Sequence, residues 1–233
     1  MLKSVFKGFS GEKKKIIKDP ILAYVTDACS LIDTRSALKQ KIQDASFCVL
    51  DLETTGLDMD NDVIINIGAV KLKKGKITKI FEAYTKPPIP IPPESTVYHG
   101  MVDAMFEDKP VIGEVLPEFL QFVGDSVVVG HHINFDIRML HRHLKESYNV
   151  GINHTVWLDT MFLYQMAHED QIHQPLDHLL ERYCVQCDQR HTALGDVVAT
   201  AKVFVKIMEE LPYSYKTVGD MVRAQNQIRR KDL

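Results

Sequence analysis

Residues 47–57, FCVLDLETTGL, give this chain its organisation. Residues 47–51 are an apolar run that ends in an acid, the pattern of a short buried β-strand. Side chains alternate faces along a strand, so Asp51 and Glu53 project from the same face. They stand where the strand gives way to Thr54-Thr55-Gly56, a turn-forming run. Two carboxylates held together repel each other unless a cation lies between them. Hard divalent ions such as Mg²⁺ or Mn²⁺, which prefer oxygen ligands, satisfy both. An Asp-x-Glu alone carries little weight in a chain with 31 acids, where a solvated surface pair is the ordinary reading. Its meaning comes from motifs farther along the chain.

At 233 residues the chain is long enough for one domain with a proper core and an appendage. Its 45% apolar and 25% charged content is that of a globular protein, and no apolar run approaches the length of a membrane span. The first 19 residues lack the continuous apolar stretch of a secretory signal. Four cysteines in a chain of this size suggest reduced thiols and a cytoplasmic location. The net charge of −3 decides nothing about nucleic acid, because a metal-dependent nuclease must cluster acids and bound cations invert the local field.

Ahead of the first strand lies an extension, residues 1–43. Lys3, Lys7, Lys13, Lys14, Lys15 and Lys18 against Glu12 make a basic arm, either frayed in solvent or touching nucleic acid. Asp19-Pro20 reads as a helix start, followed by Ile21, Val25, Ala28 and Ile32 at helical spacing. Asp33 or Thr34 then caps a second short helix with Leu38 and Ile42. The extension is expected to pack on the domain or on a protein partner. Residues 44–211 form the main domain and 212–233 a C-terminal tail.

Within the domain, residues 63–72 and 77–84 read as an antiparallel hairpin about the Lys73-Lys74-Gly75-Lys76 turn. Gly68 inside the first of these strands marks a close approach of backbone or ligand. The proline-rich residues 87–100 read as an extended crossing. Helices follow over 111–123, 134–148, 175–183 and 193–211, with strands at 126–130 and 155–158 and Asp159 as a helix cap. A β-meander followed by alternating helices and strands predicts an α/β domain whose mixed five-stranded sheet is layered by helices.

Three later motifs turn the opening pair into a site. Gly130-His131-His132-Ile133-Asn134-Phe135-Asp136 lies where a strand ends and a helix begins, which places Asp136 at the carboxyl edge of the sheet. His191-Thr192-Ala193-Leu194-Gly195-Asp196 opens the last long helix, with Asp196 in its first turn, where the helix dipole favours an anion. Tyr98-His99-Gly100 follows the proline crossing. Four carboxylates crowded together call for two divalent cations, an arrangement suited to in-line displacement at phosphorus. His191, which stands outside the acid set, suits a general base.

With DLETTG, HHINFD and HTALGD in place, the chain resembles the DEDDh 3′→5′ exonucleases, which include the epsilon proofreading subunit of bacterial DNA polymerase III. The resemblance runs from about residue 46 to 211. It implies a ribonuclease-H-like fold, two Mg²⁺ or Mn²⁺ ions held by Asp51, Glu53, Asp136 and Asp196, and His191 activating the attacking water. It further implies that backbone near Thr54, Thr55 and Gly56 meets the terminal nucleotide, that Leu57 wedges beside the terminal base and that His99 lines the nucleotide pocket. The expected activity is removal of nucleoside 5′-monophosphates from a free 3′ end of DNA, mainly single-stranded. An exoribonuclease of the same fold and a silent 3′-end-binding module are the alternatives. His131-His132 departs from the His-Asn usual in the family. Cys184-x-x-Cys187 supplies only half of a zinc site and reads as a pair of core thiols at a helix end.

Overall fold

The computed structural model of the protein describes residues 20–33, 35–168 and 174–231. The basic arm, Asp19 and Thr34 lie outside the described residues. In chain order come helix α1 (Pro20–Ile32), a 3₁₀ turn (Arg35–Lys39), strands β1 (Ser46–Thr54), β2 (Ile64–Lys73) and β3 (Lys76–Tyr84), and helices α2 (Pro93–His99) and α3 (Ile112–Val123). Strand β4 (Val127–Gly130), helix α4 (Asn134–Tyr148) and strand β5 (Trp157–Asp159) follow, then helices α5 (Thr160–Ala167), α6 (Leu176–Arg182), α7 (Ala193–Glu210) and α8 (Val218–Lys231). The strands form one mixed sheet in the order β3-β2-β1-β4-β5, with β1, β4 and β5 parallel and β2 and β3 antiparallel.

The period-2 alternation of β1 sorts the core into two layers. Phe47 and Val49 face α5, α6, α7 and α8, while Cys48, Leu50 and Leu52 face α1, α3 and α4. Asp51 and Glu53 continue the first set and therefore look toward α7. Helix α1 buries Val25, Cys29 and Ile32 in the second layer, so the N-terminal extension shares the core of the domain. Strand β1 runs on through both acids to Thr54 instead of ending at Asp51, because β2 keeps pairing with it as far as a bulge at Glu53/Thr54.

Three segments differ from their reading in the sequence. The proline crossing contains a short helix, α2, which the proline at its first position starts without losing a hydrogen bond. The second helix of the extension is only a 3₁₀ turn. Residues 212–233 contain α8, whose Val218, Met221 and Gln225 are buried. The Gln225 amide pairs with strand β5, accepting the Asp159 N–H at 2.8 Å and donating to the Trp157 carbonyl at 3.2 Å. The polar, amphipathic pattern of α8 hid it, since its apolar positions only make sense against β5 and the 3₁₀ turn.

Gly68 fixes how close α7 comes to the sheet. It pairs directly with Asp51 across the β1–β2 ladder. A Cβ at Gly68 would run into the Ala193 carbonyl at the first turn of α7. Gly68→Ala should therefore cost about 1–3 kcal/mol through overpacking, read as a lower urea midpoint at unchanged m-value. Retention of wild-type stability would mean that the close approach is not needed.

Candidate active site

Three elements meet at the carboxyl end of β1. Asp51 and Glu53 come from the strand, and Asp196 comes from the first turn of α7, whose start is capped by the Thr192 hydroxyl accepting from the Gly195 N–H at 3.1 Å. One carboxylate oxygen from each of the three lies within 4.8 Å of the others. Asp136 rises from α4, in the opposite helical layer, and its Oδ1 accepts the Leu52 N–H at 3.0 Å. It stands near enough to Asp51 to act on its charge but outside that tight trio.

The electrostatics are those of an over-acidic pocket. Burial, and after it the neighbouring Asp136, Glu53 and Asp196, hold the Asp51 carboxyl well above the usual carboxylate range. Burial and Asp196 push Glu53 up to about 7. Burial likewise raises Asp136, against the opposing pull of its backbone hydrogen bonds. Asp51, Glu53 and Asp136, hard-oxygen donors that resist ionisation, stand with Asp196 as the donor chemistry a divalent cation relieves, so these residues fit a metal site.

A cation of the protein already stands there. Arg190 binds Asp196 Oδ2 through Nη1 at 2.5 Å and Asp177 Oδ1 through Nε at 2.7 Å. Burial works against its charge, but the hydrogen bonds to Asp177 and Asp196 outweigh that and raise its pKa. Reading the sequence for motifs missed both Arg190 and Asp177; the one available signal was a cation directly before His191. His191 itself is exposed, has φ +63°, and its N–H donates to Asp196 Oδ2 at 3.2 Å, which holds the residue at the rim of the trio.

The other expected residues fall around this rim. His132 has φ +57°, and His, like Asn, is one of the non-glycine residues that tolerate this left-handed region. The backbone at His132 is therefore one that both His and the expected Asn tolerate. Asp159 caps α5 by accepting the Met161 N–H, and it also accepts the His132 and Ile133 N–H groups, so it braces the start of α4 as well. Thr54 and Thr55 are buried, and the Thr55 backbone is engaged, its N–H with the Val63 carbonyl and its carbonyl with the Ser95 hydroxyl. A Cβ at Gly56 would displace the Asp62 carboxylate from its bonds to the Thr55 hydroxyl and the Asp58 N–H. Leu57 projects with 82% of its surface exposed. His99 is buried, accepts the Met101 N–H through Nδ1 at 3.0 Å, and leaves its buried Nε2 without a partner. His131 is half-buried, with Nδ1 against the Thr160 hydroxyl at 2.9 Å and its buried Nε2 unpartnered, and desolvation pushes its pKa down to about 3. Of the two late cysteines, Cys184 is exposed at φ +50°, where the chain turns left-handed straight out of α6, while Cys187 is half-buried against the core.

Carboxylates gathered at the carboxyl ends of parallel strands, on a helix-layered mixed sheet, define a hydrolytic nuclease. The chain belongs to the RNase T exonuclease family, whose model matches residues 48–204. It is 34% identical over 183 residues to the DNA polymerase III epsilon subunit of Aquifex aeolicus, covering 78% of this chain and 90% of that subunit. It is 40% identical over 168 residues to the PolC-type DNA polymerase III of Caldanaerobacter subterraneus subsp. tengcongensis, matching 72% of this chain but only 12% of that polymerase. Among solved structures, exonuclease X bound to 5′-overhanging duplex DNA superposes with a TM-score of 0.60 at 24% identity, over 77% of this chain and 99% of that one. Escherichia coli exonuclease I bound to a dT13 oligonucleotide gives 0.61 at 16%, over 72% and 42%. These two share the fold. Among the described residues, no helix is long and apolar enough to cross a membrane.

The raised carboxyls have a consequence for stability. Folded Glu53 keeps its proton up to about pH 7, whereas its ordinary value is 4.5, so between these values the folded state binds more protons than the unfolded chain. The contribution of Glu53 to the stability of the metal-free protein therefore falls as pH rises through that window, while His131 and His143, held down to about 3 and about 4 in the fold, contribute in the opposite direction. Calorimetry in EDTA should show the wild-type melting temperature falling relative to that of Glu53→Gln as pH rises across the window, and recovering when Mn²⁺ is added in excess of the chelator. A difference between the two proteins that stays constant with pH, or changes in the other direction, would contradict the assignment.

Proposed function

We propose that the chain is a 3′→5′ exonuclease that removes nucleoside 5′-monophosphates from the 3′ end of DNA, mainly single-stranded, in proofreading or repair. The observation that carries this reading is the trio Asp51, Glu53 and Asp196 within mutual ligand reach at the start of α7, with Asp136 beside it. Similarity along almost the full length of an epsilon subunit supports the polarity and the DNA substrate.

Asp51, Glu53, Asp196 and Asp136 would hold two divalent cations, Mg²⁺ or Mn²⁺. Once bound, these supply Lewis-acid stabilisation of charge on the phosphate. Every remaining role falls to side chains and backbone of this chain. His191, exposed at the rim, accepts the proton of the attacking water through a ring nitrogen. Leu57 stands free to wedge against the terminal base, and His99 offers Nε2 to the terminal nucleotide. Because the Thr55 N–H and carbonyl have internal partners and the Gly56 carbonyl accepts the Thr54 hydroxyl at 2.6 Å, backbone contact with that nucleotide falls to the Gly56 and Leu57 N–H groups. Four unpaired cysteines suit a reducing compartment such as the cytoplasm, and α1, which exposes Ile21, Leu22, Tyr24 and Leu31, is the part of the N-terminal extension best suited to dock on a polymerase or another protein.

In Mg²⁺ or Mn²⁺, matched 3′-labelled DNA and RNA oligomers should be shortened from the label, DNA faster, and a circular single strand should survive. Asp51→Asn or Asp196→Asn should nearly abolish the reaction. His191→Ala should lower kcat by roughly 10²–10⁴, the range for a lost general base, with calorimetric metal affinity near wild type. Preferential loss of RNA would reassign the substrate, and cleavage of the circle would reassign the activity to an endonuclease.

A further inference from the structure

The catalytic edge occupies one end of the sheet; a second concentration of charge lies beyond β5. Two adjoining cavities, of about 530 and 370 Å³, meet at Trp157 and Arg229 between α4, β5 and α8. Both volumes fall in the range of ligand pockets. Five of the eight arginines of the chain line them: Arg35, Arg138, Arg142, Arg223 and Arg229. No lysine lines either cavity, and Asp60 is the one carboxylate residue that does. In a chain of net charge −3 this is a marked local excess of fixed positive charge.

Two of these arginines are already occupied. Arg142 is held by Glu146 at 3.1 Å and by the Asp62 carbonyl, and Arg223 by Asp220 at 2.5 Å. Among the described residues no carboxylate comes within ion-pair distance of Arg35, Arg138 or Arg229. The Arg229 guanidinium instead lies 5.2 Å from the Trp157 ring centre. Guanidinium forks match phosphate oxygens, and an aromatic face beside them is a stacking platform for bases.

Placement links this trough to the catalytic edge. Asn134, Arg138 and Arg142 stand at four-residue intervals along α4, about 6 Å of rise per step, and Asn134 is two residues from Asp136. Met59 and Asp60, which line the same cavity, follow Leu57 closely in the chain. We propose that this arginine-lined trough is a second nucleic-acid contact, which binds the phosphates of the strand whose 3′ end lies at the catalytic edge. The proposal rests on the exonuclease reading of the acidic site. Proximity to that site and the free guanidinium–indole pair favour a nucleic-acid strand over an acidic protein segment.

Trp157 is the only tryptophan of the chain, so its fluorescence reports on the trough directly. In the full-length Asp51→Asn protein, where cleavage is blocked, dT20 should quench Trp157 and dT2 should not. Arg138→Gln/Arg229→Gln should weaken dT20 binding roughly tenfold and reduce the slope of log affinity against log salt by about 1.4, two lost single-strand phosphate contacts. With Asp51 restored, the same double substitution should leave hydrolysis of thymidine 5′-(p-nitrophenyl phosphate) within about twofold of wild type, because that ester is too short to reach the trough. Should the double variant not fold by circular dichroism, each single substitution should show about half the change in slope. No quenching by dT20, or an unchanged affinity and slope in folded variants, overturns the proposal. Equal quenching by poly-glutamate overturns it in favour of an acidic protein partner. Failure of wild type to hydrolyse the ester would instead count against the exonuclease reading and leave the binding results to stand by themselves.

Discussion

The close approach of α7 to β2 at Gly68 is the constraint on which the rest of the site depends. Without a side chain there, the Ala193 carbonyl rests on the sheet opposite Asp51, and the first turn of α7 delivers Asp196 to the two acids of β1. A helix held one side-chain layer farther out would leave Asp196 short of its partners. The capping of α7 by Thr192 and the hydrogen bond from the His191 N–H to Asp196 then fix the orientation of that first turn. Geometry at the site is therefore inherited from packing in the core.

Assembling the acids costs free energy, visible in the upward shifts of Asp51, Glu53 and Asp136. The protein offsets part of the cost from within. Arg190 spans Asp196 and Asp177, and the Leu52 N–H solvates Asp136. Neither device relieves Glu53 fully. Incomplete compensation is what a binding site for cations needs, since acids fully neutralised by the protein would have little left to gain from a metal.

Much of this was legible in the sequence, and the reasons differ by residue. Asp51 and Glu53 were readable because strand periodicity alone places them on one face. Asp136 and Asp196 were readable because each opens a helix after a recognisable strand end or cap. Gly68 was readable as a close approach, though not as an approach of α7. What escaped was whatever depends on partners distant in sequence. Arg190 looks like any surface cation until Asp177 is seen across from it, and α8 looks like a solvated tail until Gln225 is seen against β5. Helix α2 escaped because prolines break most helices, yet at the first position they start one. The positive φ of His132 accounts for its departure from Asn in physical terms, but no local pattern announces a left-handed residue there.

The bonds from Gln225 to the main chain of β5 bear on how this protein meets others. By occupying the last strand's outward N–H and carbonyl groups, a side-chain amide does the work of a sixth strand. Backbone-to-backbone recruitment of an extended peptide is thereby barred on that flank unless α8 first lifts away. The opposite flank is β3, beyond which no strand pairs among the described residues and whose Lys76 and Lys79 discourage indiscriminate pairing. Among the described residues, a partner that joins this sheet as a strand would find its place beside β3, the flank farthest from β5.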